Sequence, residues 1–214
     1  MRDIPVFTTE NGVASLFLKK IPFTKEAFVQ IQDSQSCGEL IKECADVCRM
    51  AGADRIYATG HNELSDYPFK CNISVYTASK NKFPGTDAIA IPTRLEQCEW
   101  WRQLYNKKML CVFGAAPLSR TEAEKMICDN EAYCIYRECA IVGIGVAYGG
   151  QIRAVASVVP GAGRDVVLAL AGCLDRSEVS LSVASINQKA LALYRSLGFE
   201  ESALEANWYE IFDC

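Results

Sequence analysis

One stretch restricts the fold more than any other: Leu181-Ser-Val183-Ala-Ser-Ile-Asn187-Gln-Lys-Ala190-Leu-Ala-Leu193-Tyr194-Arg-Ser-Leu197-Gly198-Phe199. Val179–Val183 is a short run rich in strand formers and predicts a strand. Asn187 follows as an N-cap, able to accept from the first free helix amides. Ala190, Leu193 and Leu197 recur at i, i+3 and i+7, so Gln188–Leu197 reads as a helix with one apolar face. Gly198 supplies the left-handed residue that ends it, and Phe199 closes the hydrophobic contact across that cap. A strand feeding directly into an amphipathic helix calls for a sheet with a helix packed on it.

The rest of the chain supplies both. Tyr133–Arg137, Ile141–Ala147 and Ile152–Val159 predict three strands in close succession, the second turn being Gly149-Gly150. Pro160-Gly161-Ala162-Gly163 breaks the third, and Arg164–Leu174 reads as an apolar helix leading to Val179–Val183. A strand–helix–strand crossover implies a local parallel pair of right-handed connection. Successive strands argue against a doubly wound nucleotide-binding fold, which alternates strand and helix throughout. The expected class is therefore α/β with a mixed (α+β-like) sheet.

Upstream, Leu95–Leu104 reads as a helix carrying Trp100, Trp101 and Leu104, and Ser119 with Glu122 forms a capping box before a helix ending at Cys128. Val13–Ile21 and Ala27–Ile31 suggest a hairpin. Ser36 with Glu39 reads as another capping box, opening a helix through Met50 that Gly52 ends. Arg55–Ala58, Cys71–Thr77 and Ala88–Ile91 predict further strands, and Trp208–Phe212 a last one. The polar stretch Asn81–Gly85, with Pro84-Gly85, marks a boundary between 1–82 and 87–214. The order hairpin, polar or Gly-rich break, helix, strand occurs from Val13 to Ala58 and again from Ile141 to Val183; internal duplication and chance both produce it.

The segment Asn187…Phe199 closely resembles the pattern strand, Asn-x-x-Ala-x-x-Leu-Tyr-x-x-Leu-Gly-Phe of the GNAT N-acetyltransferases, and every position is matched. Ser157-Val158-Val159-Pro160-Gly161-Ala162-Gly163-Arg164 stands where that family carries Gln/Arg-x-x-Gly-x-Gly/Ala. Gly161 and Gly163 match, and Val158 takes the Gln/Arg position. Glycines before a helix let backbone amides approach an anion, which suits a pyrophosphate. The resemblance covers about Asp87 to Phe212. It implies a GNAT acyl-CoA N-acyltransferase fold, with a GNAT-like and non-catalytic N-terminal half over Met1–Lys82, where neither a Gly-x-Gly loop nor an Asn…Tyr helix occurs.

The same resemblance implies acetyl-CoA as cosubstrate and direct transfer of its acetyl group to an amine. Asn187 would contact the coenzyme arm, and Tyr194 would be the general acid toward the leaving thiolate. The phosphates would lie on Gly161, Ala162, Gly163 and Arg164. A splayed opening between Ile152–Val159 and Val179–Val183 would take the pantetheine, with backbone groups of Ala156 to Val158 pairing with it. Each residue also has a plain reading: Asn187 as a cap, Tyr194 as a packed aromatic, Arg164 as a surface arginine. The base that deprotonates the amine is not evident. Glu138, at a hairpin turn, is the nearest acid on this mapping; Glu210 and His61 read as a surface charge and a loop residue.

Composition limits the alternatives. Among 214 residues, the net charge of −4 creates no field that draws in nucleic acid or anionic membrane, and fits an amine slightly better than an anion. The longest apolar runs, such as Val166–Cys173, fall far short of a membrane span, and the N-terminus lacks a secretory h-region, so a cytoplasmic location is the expectation. Eleven cysteines with no Cys-x-x-Cys pair and one histidine offer no short-spaced metal motif. They read as reduced, mostly buried thiols, and no metal is expected. The acceptor amine and the oligomeric state do not follow from the sequence.

Overall fold

The computed structural model describes residues 2–212. They form eleven strands and six α-helices, and the chain divides into two compact units. The first unit comprises the residues up to Ile73, Phe113–Ala116 and the residues from Leu204 on; the second is Ser74–Val112 with Pro117–Ala203. The division interleaves in sequence and so does not follow a linear split at 82–87. Two strands, β5 (Phe69–Ser79) and β11 (Glu200–Ile211), carry residues of both units.

In the first unit, β1 (Ile4–Thr9), β2 (Gly12–Phe17), β3 (Glu26–Ser34), β4 (Arg55–Thr59) and β11 lie side by side in that order. The expected Val13–Ile21 strand stops at Phe17, because Ile21–Thr24 coils into the short helix α1 with Pro22 in its first turn. β2 and β3 are antiparallel neighbours, while β3 and β4 run parallel, joined by α2 (Cys37–Met50). The apolar stripe of α2, Leu40, Ile41, Cys44 and Cys48, meets Leu16, Val29 and Ile56 of the strands. Ser36 does cap α2 by position, but its side chain bonds no amide, and Glu39 pairs with Lys42 instead. The rings of Phe28, Tyr57, Phe113 and Trp208 pack together on this unit's sheet at centroid distances of 5.1 to 5.8 Å.

In the second unit the order is β5, β10 (Glu178–Ala184), β9 (Gln151–Ser157), β8 (Ala140–Tyr148), β7 (Ala132–Arg137) and β6 (Ile89–Pro92). Strands β6 to β9 are mutually antiparallel, and β9 with β10 is parallel through the crossover helix α5 (Gly163–Cys173). Helix α3 (Cys98–Met109) buries Trp101, whose indole N–H donates to the Tyr133 carbonyl at 3.2 Å, while Trp100 is exposed. Helix α4 (Arg120–Cys128) has the expected capping box, Ser119 and Glu122 bonding reciprocally. Helix α6 (Gln188–Ser196) ends at Gly198, which is left-handed at φ +85°.

Two glycines of β8 set how closely α5 approaches. A Cβ on Gly143 would lie 2.3 Å from the Val166 side chain, and one on Gly145 2.4 Å from Leu170 and 2.8 Å from the Ala154 carbonyl oxygen. Val166 and Leu170 thus rest directly on backbone. Replacing Gly145 by valine sets its Cβ against a carbonyl oxygen, a clash that no rotamer change can relieve. The expected cost is about 3 kcal/mol. Urea unfolding of Gly145→Val measures it, and an unchanged midpoint would contradict this packing.

Candidate functional site

The site is built in the second unit, from β9, β10 and the starts of the helices that follow them. A parallel pair normally bonds along its length, yet β9 and β10 share one register pair, Gln151 with Ser180. Ser180 N–H also donates to the Gly150 carbonyl at 3.1 Å. Beyond that point the ladder ends, and the two strands part.

The cause lies one strand over. On β8, Val146 faces Ala154 and the next residue, Ala147, faces Ile152, so Arg153 is an extra residue in β9. A bulge bends its strand and increases the local twist. Here it falls just after the last pairing with β10 and turns the remainder of β9 away. Arg153 itself points out to solvent, its guanidinium 4.9 Å over the Tyr148 ring.

Register also decides which backbone groups face the opening. Val158 N–H donates to the Val142 carbonyl at 2.8 Å. Antiparallel pairs alternate, so Ala156 with Ile144 and Ala154 with Val146 bond toward β8. The N–H and C=O of Val155 and Ser157 therefore point the other way, toward the opening. The sequence reading named the backbone from Ala156 to Val158; within that range Ala156 and Val158 bond toward β8, while Ser157, together with Val155 just before it, faces the other way. Only the register, with its bulge, distinguishes the two sets.

At the end of β9 the chain turns sharply. Ala162 N–H donates to the Val159 carbonyl at 3.2 Å, with Pro160 and Gly161 between them and Gly161 at φ +82°. That is a type II turn, and its third position requires a glycine-like backbone. The first helical bond of α5 runs from Val166 N–H to the Ala162 carbonyl, so the amides of Gly163, Arg164 and Asp165 precede the hydrogen-bonded ladder. Asp165 would repel an anion there, but its carboxylate is already engaged: Arg137 holds one oxygen at 2.5 Å and the Thr86 hydroxyl donates to the other at 3.1 Å. Arg164 is exposed and Ala162 buried. A Cβ on Gly163 would stand 3.1 Å from Leu193, so this turn packs against α6.

On α6, Asn187 caps the helix, its Oδ1 accepting from Ala190 N–H at 3.3 Å. Tyr194 is 9% exposed and lies 5.9 Å from the Phe199 ring. Burial pushes its phenol up to about 12, so the hydroxyl is a neutral donor throughout the physiological range. Leu193, which touches Gly163, is its chain neighbour; the anion-ready turn and the phenol are held by adjacent residues of one helix.

Glu138 sits elsewhere. It is an exposed, left-handed residue (φ +51°) at the tip of the β7–β8 hairpin, next to Arg137 and thus at the end of the sheet where α5 begins. Glu210 lies in the first unit. A wide open groove of about 570 Å³ lines β6 and the turn after it, with Ile91, Arg94 and Tyr136 in its walls, but contains none of these residues.

No protein-family model matches the chain, and no curated protein matches it in sequence. Solved structures do. A Pyrococcus horikoshii protein provisionally named an acetyltransferase superposes with a TM-score of 0.61 at 14% identity, over 95% of this chain and 70% of its own. The GCN5-related N-acetyltransferase of Kribbella flavida gives 0.60 at 10% identity, over 98% of this chain and 60% of its own. A conserved Staphylococcus epidermidis protein of unknown function gives 0.55 at 11%, over 98% and 94%. The chain therefore has a mixed α/β fold with a splayed parallel pair, and that fold is the GCN5-related acetyltransferase, or GNAT, fold. At these identities the likeness establishes the fold and not the activity.

The Tyr194 environment gives a stability signature. An unfolded tyrosine ionises near its ordinary value of 10, whereas the folded phenol holds its proton to about 12. Between those values the folded state binds more protons, so stability present below pH 10 is lost as pH rises toward 12. Urea unfolding across this window should show a wild-type slope steeper than that of Tyr194→Phe by up to roughly 1.4 kcal/mol per pH unit. Equal slopes would mean that the phenol is not desolvated.

Proposed function

We propose that the protein is an acetyl-CoA-dependent N-acetyltransferase acting on an amine, with its site in the second unit. The observation that carries this is the end of β9–β10 pairing after a single residue pair, next to an uncommitted helix N-terminus and a buried neutral phenol. An extended arm bearing amides fits the gap between two diverged strands, because Val155 and Ser157 present unpaired donors and acceptors along it. A pyrophosphate fits the amides of Gly163, Arg164 and Asp165, with Gly161 and Ala162 shaping the turn and Arg164 adding charge at its rim. Asn187, which caps α6 just after β10, would meet the coenzyme arm. Val158 is no obstacle on this reading, since the anion is held by backbone.

The chemistry follows from these groups. A neutral amine nitrogen attacks the thioester carbonyl carbon, and the carbon–sulfur bond breaks as the amide forms. Tyr194 donates its phenolic proton to the departing sulfur, and the phenolate recovers a proton from solvent; the nitrogen loses its surplus proton to water or a base. An N–H on the β9 edge facing the gap stabilises the carbonyl oxygen as charge develops on it. Glu138, exposed at the tip of the β7–β8 hairpin beside Arg137, would take the amine proton through intervening water.

A second reading has one observation behind it: burial alone shifts the Tyr194 phenol, with no contribution from a charged group. On that reading the protein binds coenzyme A without catalysing transfer. Calorimetric titration with acetyl-CoA, followed by mass-spectrometric detection of acetylated amines, separates the two. Thiol reagents are unsuitable because exposed Cys111, Cys128 and Cys139 would react. The expected result is micromolar binding in both wild type and Tyr194→Phe, with turnover lower by roughly 100-fold in the variant. Binding without turnover on any amine supports the second reading. No binding by the wild type removes both.

A further inference from the structure

The first unit, which acyl transfer leaves without a task, brings the chain's single histidine to a thiol and a carboxylate. Cys37 is the first residue of α2 and only 3% exposed. His61 follows β4, half-buried, and Glu63 stands exposed in the single-turn 3-10 helix Asn62–Asp66. One donor atom from each, the Cys37 Sγ, a His61 ring nitrogen and a Glu63 carboxylate oxygen, lie within 4.8 Å of one another. In sequence the thiol and the imidazole are far apart, which is why no short-spaced motif announces them.

Topology makes the meeting. β3 and β4 are parallel and in register from Glu26 with Arg55 to Gln30 with Thr59, so both strands finish at the same end. β3 leads into α2 and hence to Cys37; β4 leads into Gly60 and His61. Gly60 is left-handed at φ +101°, and a Cβ there would lie 2.2 Å from the Ile31 carbonyl oxygen. Only glycine allows the chain to press so closely against β3, and this is what delivers His61 to the foot of α2. Burial is graded from the thiol outward, so an ion would enter past Glu63.

We propose that Cys37, His61 and Glu63 form a binding site for a divalent cation of the zinc class, with a fourth position open to water. The donor set combines a soft thiolate, an imidazole and a carboxylate, which suits Zn²⁺ or Co²⁺ and not the oxygen-seeking Mg²⁺ or Ca²⁺. Bonds of about 2.0–2.3 Å place tetrahedral donors roughly 3.3–3.8 Å apart, so the group must contract by about 1 Å. The two accessible residues, His61 and Glu63, have the freedom to make that movement. His61 Nδ1 accepts from the Glu63 backbone N–H at 3.3 Å, a long bond that a cation bound at this lone pair would replace. A cysteine binds such a cation as thiolate, so binding displaces the Cys37 proton. Bound metal would tie the start of α2 to the loop after β4 and raise the stability of the folded chain.

The test uses the whole chain, reduced and freed of metal with a chelator. Calorimetric titration with Zn²⁺ should show one equivalent, with release of a proton, and a rise in Tm. Co²⁺ should give a thiolate-to-metal charge-transfer band in the near ultraviolet. Cys37→Ala should abolish the band, but it alters a core position and risks unfolding. His61→Gln, at a half-buried loop position, therefore decides the matter: Zn²⁺ affinity should fall at least about 10-fold, and Glu63→Gln should weaken it in the same direction. Binding that is absent in the wild type, or undiminished in His61→Gln because other cysteines hold the metal, overturns the proposal. Neither outcome bears on acetyl-CoA binding, which the second unit carries by itself.

Discussion

Everything in the second unit turns on the place where β9 and β10 stop pairing. Main-chain donors and acceptors left unpaired in a sheet interior are costly unless something occupies them. The Arg153 bulge creates such a row at Val155 and Ser157, next to a turn whose following amides precede the helical ladder of α5. Gly143 and Gly145 let α5 lie on the backbone of β8, and Gly163 lets its first turn touch Leu193 of α6. These close approaches fix where the helix starts relative to the gap. A larger residue at any of them would move an N-terminus whose usefulness depends on its position.

What was legible in the sequence was local. Asn187, the Ala190–Leu193–Leu197 stripe and Gly198 specify their helix through contacts within a few residues, and the helix forms where expected. The Ser119–Glu122 box is equally local and is present. The Ser36–Glu39 box has the same letters and does not form, because Glu39 has a better partner in Lys42 one turn on. β1 went unread since its burial is irregular and its pairing with β2 is itself bulged. Trp208–Phe212 was seen as a short strand; β11 begins at Glu200, with an exposed first half that carries no apolar alternation.

The site was less legible than the fold, for a definite reason. Asn187, Tyr194 and the Pro160–Gly163 turn carry side-chain or φ requirements that letters record. Which backbone amides face the gap depends on register, and register depends on a bulge that Arg153 does not announce. Cys37 and His61 depend on two parallel strands ending together and on Gly60 pressing against Ile31. Neither relation has a spacing to search for.

The two units show what the bulge decides. Both contain an antiparallel pair, then a helix and a strand parallel to the second member of the pair: β2, β3, α2, β4 in one and β8, β9, α5, β10 in the other. In the first, β3 and β4 pair at five successive positions, Glu26 to Gln30. β3 also has an extra residue, Gln32, where Val13 faces Asp33 and Ala14 faces Ile31. It falls beyond the last pairing with β4 and opens nothing between those strands. In the second, Arg153 falls two residues after the single pairing and leaves the rest of β9 unzipped. The same device placed late leaves a closed pair, and placed early leaves a pair that parts after one position. In the closed pair, β3 and β4 stay zipped together from Glu26 to Gln30 and no row of backbone groups is left open between them. The first unit thus keeps the order of elements without the gap, and the end of β3 and β4 gathers Cys37 and His61.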